Sequence, residues 1–170
     1  IVEAGDKYKA VRDKILKGEK WFKVSLKKPG NFIFNYYLRN NVDFILNEKQ
    51  LYISDNFYIL NIVNNPLAHL AILNSGFSKA AVLAHSRSQG GGLRKVQLYE
   101  FNDVPVIDIN AISDKAIKKL EKLGEQMKLV DRYNGSKNDF IKKIDNILLS
   151  EYNQYTSANI TLNDLEIELN

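Results

Sequence analysis

The residues best suited to binding an anion lie in one short glycine-rich stretch of the chain. The backbone N–H groups of glycines can come close to a bulky anion, and the flanking Arg and Lys side chains supply positive charge. This combination indicates nucleic acid as a binding partner. The stretch consists of Ser86, Arg87, Ser88, Gln89, Gly90, Gly91, Gly92, Leu93, Arg94 and Lys95.

The glycines do not match a nucleotide-cofactor motif. Such motifs place glycines between a strand and the N-terminus of a helix, whereas this sequence predicts a helix before the glycines and a strand after them. Three glycines alone would be explained by a connection that needs positive backbone angles. The side chains around them favour DNA contact, because Arg and Gln form bidentate contacts with guanine and adenine edges. These side chains are Arg87, Ser88, Gln89, Arg94 and Lys95.

A second group of candidate DNA contacts is Arg39, Asn40 and Asn41, at the end of a predicted strand. Tyr36 and Tyr37 precede them. We favour one tyrosine in the core and one covering the sheet over direct base contact.

Catalytic and metal-binding residues are not indicated. His69 lies among apolar residues of a predicted helix, and His85 lies at a helix end, where it could cap the helix or meet a phosphate. Neither histidine has an acidic partner at ligand spacing. The acids Asp103, Asp108 and Asp114 are not tied to a base by the sequence.

The composition is that of an ordinary globular protein. Of 170 residues, 45% are hydrophobic and 26% are charged, and the length suits a single buried core. The absence of cysteine excludes disulfides and thiolate metal sites and fits a reducing compartment. The apolar stretches are short, so no transmembrane span is predicted. Because the chain begins at Ile1 without an initiator Met, we interpret it as part of a longer protein.

The positive charge is concentrated toward the N-terminus. The net charge is +4 and the sequence pI about 9.1, and the basic side chains between residues 7 and 39 greatly outnumber Asp13 and Glu19. This asymmetry favours an anionic partner.

The order of predicted elements indicates an α+β fold, with an antiparallel or mixed sheet and a helix pair followed by C-terminal helices. A helix is predicted over residues 1–17. Strands are predicted over residues 21–26, 32–38, 57–63 and 94–99, and a hairpin over 44–46 and 51–53. Helices are predicted from Asn65-Pro66, over 77–85, from Ser113, and over 140–148.

Four segments in this order resemble a known family. They are Arg39 to Asn47 with Tyr52 to Tyr58, Leu70 to Ser75 (an "ALLNS"-like helix), Ser86 to Lys95, and Leu98 to Val106 (an "lPvP"-like ending that lacks the second Pro). Together they resemble the C-terminal specificity domains of TaqI-type adenine-N6 DNA methyltransferases and fused type II restriction-modification enzymes, over about residues 20–110.

The resemblance implies a target recognition domain spanning residues 1–170, with the specificity core at about 20–110 and a helical part at about 111–170. Such a domain binds double-stranded DNA and reads the site. A separate N-terminal domain of the same parent binds S-adenosylmethionine and methylates a flipped adenine. This chain itself would then hold no cofactor and catalyse nothing. The family further implies a cytoplasmic, prokaryotic protein.

Two other interpretations stay open. The chain could be a protein-interaction or scaffold domain, in which the apolar stripes of the C-terminal helices dock another subunit. A small hydrolase using His85 or Asp108 is a weaker alternative.

Overall fold

The structure is a computed structural model that describes residues 13, 16–18, 28–39, 41–129 and 137–166. It has the predicted α+β architecture, with strands in the N-terminal half and helices after them. The strands are β1 (Phe32–Asn35), β2 (Tyr37–Leu38), β3 (Phe44–Leu46), β4 (Phe57–Leu60), β5 (Arg87–Gly90) and β6 (Leu93–Lys95). The helices are α1 (Pro66–Leu73), α2 (Gly76–Ala84), α3 (Leu98–Asn102), α4 (Asp114–Leu129), α5 (Lys137–Thr156) and α6 (Leu162–Glu166), with a 3-10 turn at Ile109–Ala111.

The first sheet is antiparallel, with strand order β3-β1-β4. The apolar alternation of β1 sends Phe32 and Phe34 into the core, where both side chains are fully buried. Phe34 stacks on Phe44 with ring centroids 4.6 Å apart, and on Phe101 from α3 at 5.0 Å. Aromatic packing thus joins this sheet to a helix that follows the glycine-rich stretch.

The second sheet is also antiparallel, with strand order β2-β6-β5. The predicted strand over residues 32–38 is divided at Tyr36, and its two halves belong to different sheets. Two hydrogen bonds connect the sheets near this point: Val96 N donates to Tyr36 O at 3.1 Å, and Tyr58 Oη donates to Val96 O at 3.0 Å. Burial raises the pKa of Tyr58, because its phenolate form would lose hydration.

Helix α1 lies between two hydrophobic clusters, which explains why it is apolar on nearly all sides. Leu70 and Leu73 pack with the sheet aromatics, while Ala68, Ala71 and Ile72 pack with the C-terminal helices. As the sequence predicts, Asn65 occupies the N-cap position and Pro66 the first turn. The cap differs from the usual one: Asn65 has φ 47°, and its side chain makes no capping hydrogen bond.

The C-terminal helices α4 and α5 pack on α1. Helix α4 begins after Ser113 as predicted, and Ser113 Oγ accepts a hydrogen bond from Ala116 N at 3.3 Å. Glu151 of α5 accepts from the Ser113 backbone N–H at 2.8 Å. At Gly124 a Cβ atom would lie 2.0 Å from the carbonyl oxygen of Leu67, so only glycine permits this close approach of α4 to α1.

Two strand predictions are wrong, and a third, over residues 57–63, holds only for Phe57–Leu60. Residues 51–53 form no strand, because β3 pairs with β1 and the following loop closes on Asn47, whose side-chain amide bonds both Leu51 N and Leu51 O at 2.9 Å. Residues 94–99 form a strand only up to Lys95, and helix α3 begins at Leu98. The predictions for residues 21–26 and for most of residues 1–17 lie outside the described residues.

Within the described ranges, no single helix is long and apolar enough to span a membrane. Helices α1 and α2 meet the length and composition criteria only as a pair, and they are bent by 60° relative to each other.

Candidate nucleic-acid interface

The glycine-rich stretch forms a β-hairpin between β5 and β6. Gly91 and Gly92 occupy the two turn positions with φ 58° and 73°, and Gly90 before them has φ 86°. Positive φ at both central residues is what a type I′ hairpin turn requires, and glycine adopts it without steric cost. A Cβ atom at any of the three glycines would meet nothing within 4 Å. The glycines are therefore needed for backbone conformation and not for space.

The order of elements around the glycines differs from the prediction. A strand, β5, separates helix α2 from the glycines, so the turn joins two strands. The polar sequence Arg-Ser-Gln-Gly lacks the apolar alternation that identifies a strand, and all four residues of β5 are exposed. The register shifts between Ser88 and Gly90, which makes Gln89 the extra residue of a β-bulge at the exposed edge of the sheet.

Cross-strand pairing sorts the candidate side chains into two rows on opposite faces of the sheet. One row is Tyr37, Lys95 and Arg87, and the other is Leu38, Arg94 and Ser88. Leu38 is 2% exposed, so the second row faces the protein at Leu38 and Arg94, while Ser88 at the edge of the sheet is exposed. In the first row, Tyr37 is 38% exposed and the Arg87 side chain 63% exposed, so this row faces solvent.

Arg87 is oriented by contacts with helix α3. Its guanidinium forms an ion pair with Glu100, donates a hydrogen bond to Tyr99 Oη at 2.6 Å, and lies 5.6 Å from the centre of the Tyr99 ring. The Gln97 backbone N–H and then the Arg87 guanidinium hold the pKa of Glu100 below its ordinary value. Part of the Arg87 charge is therefore balanced inside the protein.

Lys95 carries the cation at the centre of the solvent-facing row. Its Nζ lies 5.2 Å from the ring centre of Tyr37 and 5.5 Å from that of Tyr36, which is within cation–π range. No ion pair to Lys95 occurs among the residues that the structure describes. Tyr36 packs against the core and Tyr37 covers the sheet, which is the arrangement predicted from the sequence.

Arg94 holds the hairpin to the end of helix α2. Its Nε donates to Ser86 Oγ at 2.6 Å, and its Nη2 donates to Ser86 O at 2.9 Å and to Leu83 O at 3.1 Å. Two of these bonds reach backbone carbonyls at the helix C-terminus, where intrahelical donors run out, and the third reaches the Ser86 hydroxyl. In this arrangement Arg94 is a structural residue whose donors point into the protein.

The second group of candidates lies directly after β2. Arg39 and Asn41 are both exposed, and Asn40 lies outside the described residues. Since β2 pairs with β6, this group follows a strand of the same sheet as the hairpin. The fold therefore brings both groups of sequence candidates to one sheet.

The histidines and Asp108 have local structural roles. Nδ1 of His85 lies 2.8 Å from Ala81 O at the end of α2, and Nδ1 of His69 lies 3.1 Å from Asn65 O. Asp108 Oδ1 accepts from Asn110 N at 2.9 Å and caps the 3-10 turn. In the described ranges, no hydrogen bond or ion pair joins His85 to Asp108, and no group of three or more His, Asp or Glu could hold a metal ion.

Sequence reasoning missed Tyr99 and Glu100, which position Arg87. A signal for them was present: Gln97 is followed by Glu100 three residues later, the spacing of a capping box. The structure shows half of this motif, since Glu100 Oε2 accepts a hydrogen bond from Gln97 N at 2.7 Å. Recognising that spacing would have predicted a helix from Leu98 instead of a strand to Tyr99.

Compared with known proteins, the chain has no significant match to a protein-family model, a curated protein sequence or a solved structure.

Proposed function

We propose that this chain is a DNA recognition domain that binds double-stranded DNA and reads its sequence with the β5–β6 hairpin. One observation carries the proposal: the antiparallel β5–β6 hairpin, whose outer strand β5 is fully exposed, has Arg87 and Lys95 on its solvent-facing side and Ser88 and Gln89 near its tip. The major groove of B-DNA admits a two-stranded β-ribbon, and residues 89–93 of the hairpin extend beyond the pairing of β6 with β2.

The two parts of the hairpin have different roles in this proposal. Lys95, together with the uncompensated part of the Arg87 charge, contacts phosphates and gives affinity that depends on salt. Gln89 and Ser88 carry amide and hydroxyl groups that hydrogen-bond to base edges. Arg39 and Asn41 add contacts from the neighbouring strand. Arg94, a candidate DNA contact by sequence, supports the hairpin instead of contacting DNA.

Within the same proposal, the parent protein is an adenine-N6 DNA methyltransferase or a fused restriction-modification enzyme. Methyl transfer from S-adenosylmethionine then belongs to a separate domain of that parent. The glycine turn of this chain does not suit a nucleotide cofactor, since it joins two antiparallel strands and does not lead into a helix N-terminus.

The scaffold alternative loses its main support in the structure. It rested on the apolar stripes of the C-terminal helices, and these stripes form the second hydrophobic cluster. Leu120 of α4 and Ile144 of α5 are fully buried within it. The stripes are therefore explained by the packing of the domain on itself.

The test begins with selection of bound duplexes from a random DNA library at about 50 mM salt, a concentration at which phosphate contacts are strong. Binding of the full chain is then measured on the selected duplex and on single-base variants. We expect Lys95→Ala to weaken binding to every duplex by a similar factor. Gln89→Ala should change the preference between duplexes by about 1–3 kcal/mol, the value of a bidentate base contact.

Lys49→Ala is the matched control for charge, because Lys49 is an exposed lysine in the loop after β3. It should leave the preference unchanged and weaken binding less than Lys95→Ala. An equal loss on every duplex for Gln89→Ala would show that Gln89 is not a reader. The absence of duplex binding at low salt, for the chain and for its full-length parent, would overturn the proposed function.

A further inference from the structure

Helix α4 carries a row of lysines on the side that faces solvent. At 3.6 residues per turn, spacings of three, four and seven residues place side chains on one helix face, here within an arc of about 100°. The opposite face packs into the second hydrophobic cluster through Ala116, Leu120 and Met127. The residues of this lysine row are Lys115, Lys118, Lys119 and Lys122, all four of them exposed.

The negative charges of the helix do not neutralise this row. In the structure, Glu125 pairs with Lys128 at 3.1 Å, and Lys128 also pairs with Glu48 at 2.6 Å. Among the described residues, no ion pair reaches any member of the lysine row. The remaining acids of the helix, Asp114 and Glu121, lie toward one flank of the row by helical spacing.

Repulsion within the row opposes the isolated helix, and acids three or four residues from Lys118 and Lys122 offset only part of it. Lysines three or four residues apart repel each other, and each such pair costs a few tenths of a kcal/mol. The pairs Lys115–Lys119 and Lys118–Lys122 are both of this kind. An anion with evenly spaced negative charges would attract each lysine and so offset the repulsion between them. Over the seven residues from Lys115 to Lys122 the helix rises about 10 Å, and one DNA strand presents a phosphate every 3.4 Å or so along its axis.

We propose that the lysine row of α4 is a second DNA-contacting surface that binds the phosphate backbone of duplex DNA. The inference rests on the proposed DNA-binding function and adds a surface to it. Lysine contacts phosphate as a point charge, so the row contributes affinity and orientation but no sequence information. Its removal should therefore weaken binding to all duplexes by the same factor.

The experiment compares the salt dependence of duplex binding for two variants that lose the same charge. One is Lys118→Gln with Lys122→Gln in the lysine row. The other, the control, is Lys49→Gln with Lys142→Gln, which changes exposed lysines of a loop and of helix α5. Glutamine has a helix propensity close to that of lysine, so α4 should stay folded. Circular dichroism and thermal unfolding verify this.

We expect the slope of log binding constant against log salt to fall in magnitude by about two for the lysine-row variant, since each lost phosphate contact removes about 0.9. The control variant should change this slope by less than one. Equal slopes for the two variants, with wild-type binding intact, would overturn the inference and leave the proposed function standing. If the wild-type chain binds no duplex DNA, both the inference and the proposed function are wrong.

An additional binding measurement uses poly-glutamate as an acidic polypeptide probe. We expect the lysine-row variant to bind duplex more weakly than the wild type, and the wild type to prefer duplex over poly-glutamate. Loss of poly-glutamate binding alone, with unchanged duplex binding, would assign the row to an acidic protein partner and overturn the inference.

Discussion

Residues of the same type have different roles in this protein because their surroundings differ. Arg87, Arg94 and Lys95 are indistinguishable as basic residues beside a glycine run. In the fold, Arg94 donates hydrogen bonds to Ser86 and Leu83. Arg87 forms an ion pair with Glu100, and Lys95 lies over two tyrosine rings. Strand alternation causes this division, since neighbours along β6 point to opposite faces.

The structural role of Arg94 leads to a prediction about stability. Arg94→Ala removes three hydrogen bonds. Two of them end on partly buried oxygen atoms of Ser86, whereas Leu83 O keeps the Ser86 N and Oγ donors. We expect the free energy of unfolding to fall by about 1–3 kcal/mol, measured by urea denaturation. Arg39→Ala is the control, because Arg39 is exposed, and it should change stability by less than about 0.5 kcal/mol. Equal stability of the two variants would contradict the structural role of Arg94.

Among the elements, the β5–β6 hairpin depends most on backbone conformation. Its strands are short and β5 is fully exposed, so the hairpin buries little side-chain surface and is held to the rest of the fold mainly through Arg87 and Arg94. The turn glycines supply conformations that other residues adopt only with strain. Substitution of a turn glycine should therefore destabilise the hairpin even where the new side chain clashes with nothing.

A pair of substitutions in the turn tests this dependence. Gly91→Asn produces Asn-Gly, a favoured sequence for a type I′ turn, and should preserve the hairpin. Gly92→Val places a β-branched residue at φ 73° and should destabilise the hairpin by about 1–2 kcal/mol. Hydrogen exchange of the β5 and β6 amides measures the difference. Similar protection in both variants would show that the turn is not held at positive φ.

At the scale of the whole molecule, a buried carboxyl group links helices α2 and α5. Asp145 of α5 is 9% exposed, and its Oδ1 accepts a hydrogen bond from Gly76 N at 2.8 Å. The fit is close, because a Cβ at Gly76 would lie 2.5 Å from Asp145 Oδ2. Burial raises the pKa of Asp145 to about 6, even though the Gly76 amide and Lys79 act in the opposite direction.

This raised pKa predicts a pH dependence of stability. The folded protein holds a proton on Asp145 up to about pH 6, whereas the unfolded chain releases it near 3.8. The favourable contribution is therefore complete below pH 3.8 or so, and it is lost as pH rises through about 6. Asp145→Asn cannot titrate and keeps an oxygen acceptor for Gly76.

The measurement is urea unfolding of wild type and Asp145→Asn between pH 4 and 7. We expect the stability of wild type relative to the variant to decrease across this range, while the titration of all other groups cancels in the comparison. A difference that does not vary with pH would contradict the assignment of a raised pKa to Asp145.

Local patterns in the sequence determined much of this protein. The apolar alternation of β1, the caps at Asn65 and Ser113, and the α+β order of elements follow from interactions between residues close in the chain. The candidate residues in the glycine-rich stretch were also identifiable, because glycine runs and basic side chains are visible in composition alone.

Only the tertiary structure decided how those residues are used. The division of residues 32–38 between two sheets, the pairing of β2 with β6, and the burial of Asp145 depend on contacts between distant segments. The polar strand β5 exists because β6 lies beside it. Neighbouring residues of a strand point to opposite faces in any case, but which face of β6 is covered, and hence that Arg94 and not Lys95 points inward, depends on its pairing with β2. The pairing of distant strands leaves no signal in local periodicity.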